Sequence, residues 1–186
     1  RLDSLKKQGH ETEKIEMIVL GGTFSAYNRR YQSDYIRALY NACNKGIEAD
    51  WKKGGGPETG RSLVTPQQIN ESAKHKIIGL SLETRPDHIT KEEIRHMRKF
   101  GCTKVQIGVQ HTNNNVLTLN KRGEKIEDSI QAIKLMKDAG LKIATHLMPN
   151  LPVSTPEMDI QMIKKKKKKP EFKPDQLKIY PCVVTP

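Results

Sequence analysis

Four apolar runs in this sequence stop abruptly at side chains that can bind a small molecule. The run KIIGLSLETRPD, Lys76 to Asp87, ends in Glu83, Thr84, Arg85 and Asp87, with Pro86 blocking continuation of a strand. A second, Ile15 to Thr23, ends in Gly21, Gly22 and Thr23. A third, Lys104 to His111, carries Gly108 and Gln110 at its exit, and a fourth, Leu141 to Pro149, carries His146, Met148 and Pro149. Their chemistry is complementary. Glu83 offers a carboxylate to hydroxyl or ammonium groups, Arg85 a planar guanidinium to a carboxylate, and Gln110 and His146 can donate or accept. Gly21 and Gly22 let backbone approach a ligand with no Cβ in between, and Thr23 adds a hydroxyl.

Something must hold these four ends together. Each run reads as a buried strand, and the intervening segments read as helices. Tyr31 to Asn44 places Tyr35, Ile36, Leu39, Tyr40 and Cys43 on one face; Pro66 to Ala73 follows Thr65 as a cap. Thr90 and Glu93 form a capping-box pattern ahead of Ile94, Met97 and Phe100, and Ile126, Ile130, Ile133 and Met136 recur at helical spacing before Gly140. A fifth strand, Gln176 to Tyr180, follows a helix begun by Thr155-Pro156. Strands alternating with helices predict an α/β fold of parallel βα units, a partial TIM-like barrel. In such folds ligands gather at the C-terminal ends of the strands.

Composition narrows the partners. Lys and Arg number 33 against 21 Asp and Glu, a net charge of +12, half of it from the six lysines 164–169. A polyanionic partner is therefore expected to find loop cations, among them Arg29, Arg30, Lys121 and Arg122, able to neutralise phosphate without reading sequence. The lysine run itself is read as low-complexity, with no assigned role. Cys43, Cys102 and Cys182 lie far apart with no CxxC spacing, so no metal-cluster motif is expected within this stretch, and a reduced, cytoplasmic protein is expected. No run is apolar enough to span a bilayer, and no signal-peptide pattern occurs. The glycine-rich residues 46–64, which hold Trp51, read as a flexible insertion. The sequence opens at Arg1 inside a helical pattern and reads as an excised piece.

Taken together, VLGGTF, LETRPD, GCTKVQIGVQ, NKRG, KDAGLKI, HLMPNLP and PDQLKIYP closely resemble the radical S-adenosylmethionine domain of the Elongator catalytic-subunit family, across almost the whole chain and in the same order. The resemblance implies an incomplete barrel of the radical S-adenosylmethionine type. It also implies three cofactors. A [4Fe-4S] cluster, held by three cysteines expected before the Ile15 strand and so outside this stretch, cleaves S-adenosylmethionine to a 5′-deoxyadenosyl radical. That radical acts on the acetyl group of acetyl-CoA, and the product is added to C5 of wobble uridine 34 in tRNA. An acetyltransferase-like domain is expected beyond Tyr180.

By the same resemblance Gly21, Gly22 and Thr23 match the motif that binds the methionyl amino group, and Glu83 and Arg85 are expected at the ribose hydroxyls and methionyl carboxylate. Gln110, His146 and Met148 are expected to line the pocket, Lys14 to contact acetyl-CoA, and Arg29, Arg30, Lys121 and Arg122 to meet tRNA. No catalytic residue is assigned. Expected partners are tRNA and, in eukaryotes, two further large Elongator subunits; an archaeal or bacterial protein would act alone, as a monomer or dimer. Two other functions fit these residues: a tRNA-binding scaffold without catalysis, and a subunit that acetylates protein lysines.

Overall fold

A computed structural model describes residues 1–45, 64–168 and 173–183. Five strands, β1 (Lys14–Val19), β2 (Lys76–Thr84), β3 (Lys104–Gln110), β4 (Lys142–Leu147) and β5 (Gln176–Ile179), form one sheet in sequential order, every neighbouring pair parallel. The crossovers carry helices: α1 (Leu2–Lys7) precedes β1, and α2 (Arg29–Lys45) and α3 (Val64–Ser72) separate β1 from β2. Then α4 (Lys91–Lys99), the pair α5 (Asn114–Leu119) and α6 (Ile126–Asp138), and α7 (Pro156–Lys168) complete the order. The sheet curls into a half-barrel, which is the expected fold class.

Strand alternation divides its two faces by chemistry. Leu80, Leu82, Val105, Ile107, Val109, Ile143 and Leu147 are buried against the helices, where they join Ile36, Met97, Phe100, Ile133 and Met136 in one core. The concave face carries Ser81, Glu83, Gln106, Gly108 and His146 instead. Register pairs Glu83 with Gln106, Gly108 with His146, and His146 with Lys178. A parallel strand covered on both sides would be apolar throughout. Here one face is apolar and the other is built for polar contacts.

Local differences from the sequence reading have simple causes. Ile78 is 56% exposed, because β2 pairs with β3 only from Ser81 onward and its first turn of chain overhangs that neighbour. Helix α2 starts at Arg29, two residues early, since the Asn28 side-chain oxygen accepts from Arg30 N at 2.8 Å and its carbonyl from Gln32 N at 3.0 Å. Arg29 and Arg30 are thus first-turn helix residues, not loop cations. Thr65 lies within α3. Thr90 Oγ1 accepts from Glu93 N at 3.1 Å, but the Glu93 carboxylate pairs with Arg29 at 2.5 Å and leaves the capping box half closed. The insertion expected at 46–64 lies outside the described residues apart from Val64, and helix α7 continues through Lys168. Among the described residues no helix is long and apolar enough to cross a membrane.

Buried Asn70 ties the start of β2 to the helices before it. Its amide donates to Asn44 Oδ1 at 2.8 Å and to the His75 carbonyl at 3.0 Å, and its oxygen accepts from Ile77 N at 2.7 Å. Each buried partner left unpaired costs roughly 1–3 kcal/mol. Asn70→Ala is therefore expected to lower unfolding stability by about 2–4 kcal/mol in urea titration of the full-length protein, and a loss below about 0.5 kcal/mol would contradict this role.

Candidate functional site

The C-terminal strand ends come together as expected, and the structure shows what each side chain touches there. After β1 the chain passes through Gly21 at φ 130° and Gly22 at φ 86°, left-handed values that disfavour any side chain. No atom lies within 4 Å of where a Cβ would stand on either residue, so this backbone faces open space. Gly21 N–H points at Glu83 Oε2 at 3.4 Å, a long contact that leaves the donor available. With Val19, Leu20, Phe24, Tyr27, Tyr31 and Glu83, these glycines line a depression of about 90 Å³ at the mouth. Thr23 turns the chain into a short 3-10 segment, Phe24–Ala26, that brings Tyr27 to the same rim.

Below Glu83 the concave face is organised by the Gln106 amide. Its oxygen accepts from Lys178 Nζ at 2.6 Å and lies 3.1 Å from His146 Nε2, and its nitrogen donates to Ser81 Oγ at 3.0 Å. Lysine can only donate, so the oxygen must face Lys178, and His146 Nε2 must then carry its hydrogen. Neutral His146 consequently presents a bare Nδ1 toward Glu83 Oε1, 3.6 Å away. Two acceptors face one another beneath the glycines. A ligand ammonium bridging them would satisfy both.

Strand β3 ends in strain. Gln110 adopts φ 61°, and the register with β4 shifts between Gly108 and Gln110. A non-glycine residue there costs on the order of 1–2 kcal/mol. The turn is held by Met148 N–H donating to the Gln110 carbonyl at 2.8 Å, while the buried Gln110 Oε1 has no hydrogen-bond partner among the described residues. Strained backbone carrying an orphaned acceptor is a pattern that clusters at ligand sites. Met148 sits half-buried beside it, and the His146 ring meets Tyr180 edge-on at 5.4 Å.

Arg85 is placed differently from the sequence expectation. It does not pair with Glu83 or stand free: it grips Asp87 through two bonds of 3.0 and 2.7 Å and reaches Glu124 Oε2 at 2.9 Å. Glu124, 2% exposed, also binds Arg122 Nε at 2.7 Å, and Arg122 donates to the Gly108 carbonyl at 3.2 Å. Two arginines and two carboxylates neutralise each other, so Arg85 and Arg122 act as a clamp between the ends of β2 and β3. Neither is a spare cation. Of the other expected phosphate contacts, Lys121 is exposed, Arg30 lies 3.9 Å from Asp34, and Arg29 is committed to Glu93. Lys14 opens β1 at the opposite edge of the sheet, about 20 Å from the glycines at strand rise.

Sequence alone does not single out Glu124, Gln106, Lys178, Tyr27 or Tyr31, and it sets Tyr35 on the packed face of its helix, whereas the structure leaves Tyr35 38% exposed. Gln106 and Lys178 had a signal, since each breaks an apolar run at a concave position; Tyr27, Tyr31 and Tyr35 recur every fourth residue. Glu124 had none.

The residues present fit S-adenosylmethionine: open glycine backbone, paired acceptors for its amino or hydroxyl groups, and a buried amide oxygen awaiting a donor. They do not supply an iron–sulfur cluster. Among the described residues no group of three His, Cys, Asp or Glu could hold a metal. Cys43 and Cys102 are buried, and burial pushes the Cys102 thiol up to about 12, the reverse of what a thiolate ligand needs.

Burial pushes the His146 pKa below its ordinary value; Glu83 opposes this and Lys178 reinforces it. The unfolded chain then binds a proton near pH 6.5 that the folded one takes up only at lower pH, so stability falls as pH drops below about 6.5. His146→Gln is expected to flatten that slope in urea titrations between about pH 5 and 6.5; an unchanged slope would show that His146 is not held neutral.

Residues 2–165 match the model of the Radical SAM superfamily. The chain is 45% identical over 184 residues to a tRNA uridine(34) acetyltransferase of Methanocaldococcus infernus, covering 99% of this chain and 32% of that protein. It is 35% identical to Elongator complex protein 3 of Saccharomyces cerevisiae, covering 99% of this chain and 31% of that one. It superposes on the solved structure of the archaeal Methanocaldococcus infernus Elp3 lacking an N-terminal segment with a TM-score of 0.88 at 44% identity, over 98% of this chain and 40% of that one. The chain thus spans about a third of the length of the curated relatives it matches. With five parallel strands in one sequentially ordered sheet, and with that match over most of its length, the chain belongs to the radical SAM superfamily.

Proposed function

We propose that this chain is the S-adenosylmethionine-binding wall of a tRNA-modifying enzyme that acts on wobble uridine 34. The observation that carries the reading is the pair of acceptors, Glu83 Oε1 and His146 Nδ1, set 3.6 Å apart beneath the open Gly21-Gly22 backbone. Superfamily membership implies S-adenosylmethionine and a [4Fe-4S] cluster, and the names of the relatives supply the tRNA, uridine 34 and acetyl transfer. The chemistry this cofactor supplies when bound is hydrogen abstraction by a carbon radical.

The chain's own residues orient it. Gly21 and Gly22 admit the methionyl end without a Cβ, Glu83 accepts from its ammonium, and His146 holds a lone pair toward the same ammonium. Lys178 and Ser81 fix the Gln106 amide that sets the His146 tautomer. Gln110 and Met148, joined by a backbone hydrogen bond at the ends of β3 and β4, are proposed to meet the rest of the cofactor. The Arg85–Glu124–Arg122 clamp keeps the ends of β2 and β3 at fixed separation, so these groups are preorganised before a ligand arrives. Acetyl-CoA is proposed as the acyl donor, with Lys14 contacting it from the opposite edge of the barrel, apart from the cofactor mouth. Lys121 and Arg30 are proposed as tRNA phosphate contacts, and Elongator-type subunits as partners if the source is eukaryotic.

The test uses the cluster-loaded full-length protein. Formation of 5′-deoxyadenosine in the presence of tRNA should fall about 10- to 100-fold in Glu83→Gln, the loss of one charge-assisted hydrogen bond, while tRNA affinity is unchanged. Unaltered 5′-deoxyadenosine formation would remove Glu83 from the cofactor site, and tight tRNA binding with no 5′-deoxyadenosine from the parent would make the protein a scaffold.

A further inference from the structure

A row of tyrosines leads out of the mouth. Tyr27 and Tyr31 line the depression beside Gly21, Gly22 and Glu83, and Tyr35 continues the row one turn further along α2. The Tyr27 and Tyr31 rings lie 5.1 Å apart, and Tyr31 stacks on Tyr35 at 6.0 Å with planes 26° apart. Phe24, buried beneath, contacts Tyr27 and Tyr35 at 6.3 and 6.1 Å. The three rings are 51%, 51% and 38% exposed. They form a continuous aromatic row over a buried ring, each of the three partly exposed to solvent.

The row is fixed in place. Gln32, fully buried, donates through Nε2 to the Tyr27 carbonyl at 2.7 Å, and Thr84 Oγ1 donates to Ser25 Oγ at 3.0 Å, pinning the 3-10 segment to the end of β2. Two cations precede Tyr31 in the first turn of α2: the Arg30 side chain is 70% exposed and Arg29 53% exposed, with Asp34 and Glu93 as their partners. Every base has a π face, so aromatic rings beside cations bind unpaired nucleotides without sequence preference. An aliphatic protein-docking face would show Leu, Ile or Val here. Of the described residues lining the mouth outside the row, only Leu20 is a strongly exposed aliphatic.

We infer that Tyr27, Tyr31 and Tyr35 form a stacking surface for the unpaired RNA bases next to the nucleotide presented to the barrel mouth. This rests on the tRNA reading above and deepens it: the backbone is held by lysine and arginine, whereas the bases flanking the reactive one are held by these rings. Enzymes that act on a base inside a structured nucleic acid must splay it from its stack, and a neighbouring aromatic surface replaces the stacking that is lost.

The experiment uses full-length protein in which Trp51 and every other tryptophan is replaced by Phe, with tRNA, a single-stranded decaribonucleotide and an abasic strand of equal length as probes. Tyr31→Ala should weaken the tRNA and decaribonucleotide about 5- to 100-fold, leave the salt dependence of binding unaltered, and leave the abasic strand unaffected. Tyr31→Phe should bind as the parent does. Tyr31→Trp should show fluorescence quenched by the decaribonucleotide and not by the abasic strand, a readout that a packing defect does not produce. Equal affinities in parent and Tyr31→Ala, equal loss for the abasic strand, or an unquenched Trp at position 31 would each overturn the inference while the tRNA reading stands. A parent that binds none of the RNAs would remove both.

Discussion

One side chain, the Gln106 amide, links four of the five strands across the concave face. Its nitrogen reaches Ser81 on β2, its oxygen takes donors from His146 on β4 and Lys178 on β5, and its own backbone lies in β3. The outer face needs no such device, since Leu82, Val105, Ile107 and Ile143 are packed against helices and stabilised by burial. The inner face has to keep polar groups out of unpaired burial while leaving one end open. Because Lys178 cannot accept, the amide has a single workable orientation, and that orientation fixes the proton of His146. The chemistry of the mouth is therefore decided a full turn of chain below it.

A second constraint keeps the mouth from closing on itself. Arg85 and Arg122 would, if free, compete for Glu83 or for any anionic ligand. Buried Glu124 binds both at once, and Asp87 takes the remaining face of Arg85. Burying a carboxylate is tolerable only with such compensation. Among the described residues this leaves Glu83 at the mouth as a carboxylate whose neighbours are a backbone N–H and an imidazole lone pair, a setting that favours a donor-bearing ligand over a structural ion pair.

Much of this was legible in the sequence. Apolar runs of strand length bounded by Gly, Pro and helix caps read as strands, and parallel pairing follows from a helix in every crossover; that placed Gly21, Gly22, Glu83, Gln110 and His146 at one end of the sheet. What sequence could not show was pairing. Arg85 has Glu83, Asp87 and Glu124 within reach of a sequence argument, and only the fold brings Glu124, 39 positions away, into contact. Arg29 read as a loop cation because its partner Glu93 is contributed by another crossover. Lys14 and the glycines flank one strand, and the strand's length sets them at its opposite ends. The tyrosine row was visible as a four-residue repeat, but a helix pattern alone does not say that the face stays uncovered.

The central claim is that the four strand ends form one cofactor site, and amide hydrogen exchange on the cluster-loaded full-length protein, with and without S-adenosylmethionine, tests it directly. Added protection is expected at residues 20–23, 83–85, 108–110 and 146–148 together, with the N-terminal strand ends around Lys14 and Lys142 unaltered. Protection confined to other segments, or none at any of the four, would contradict it.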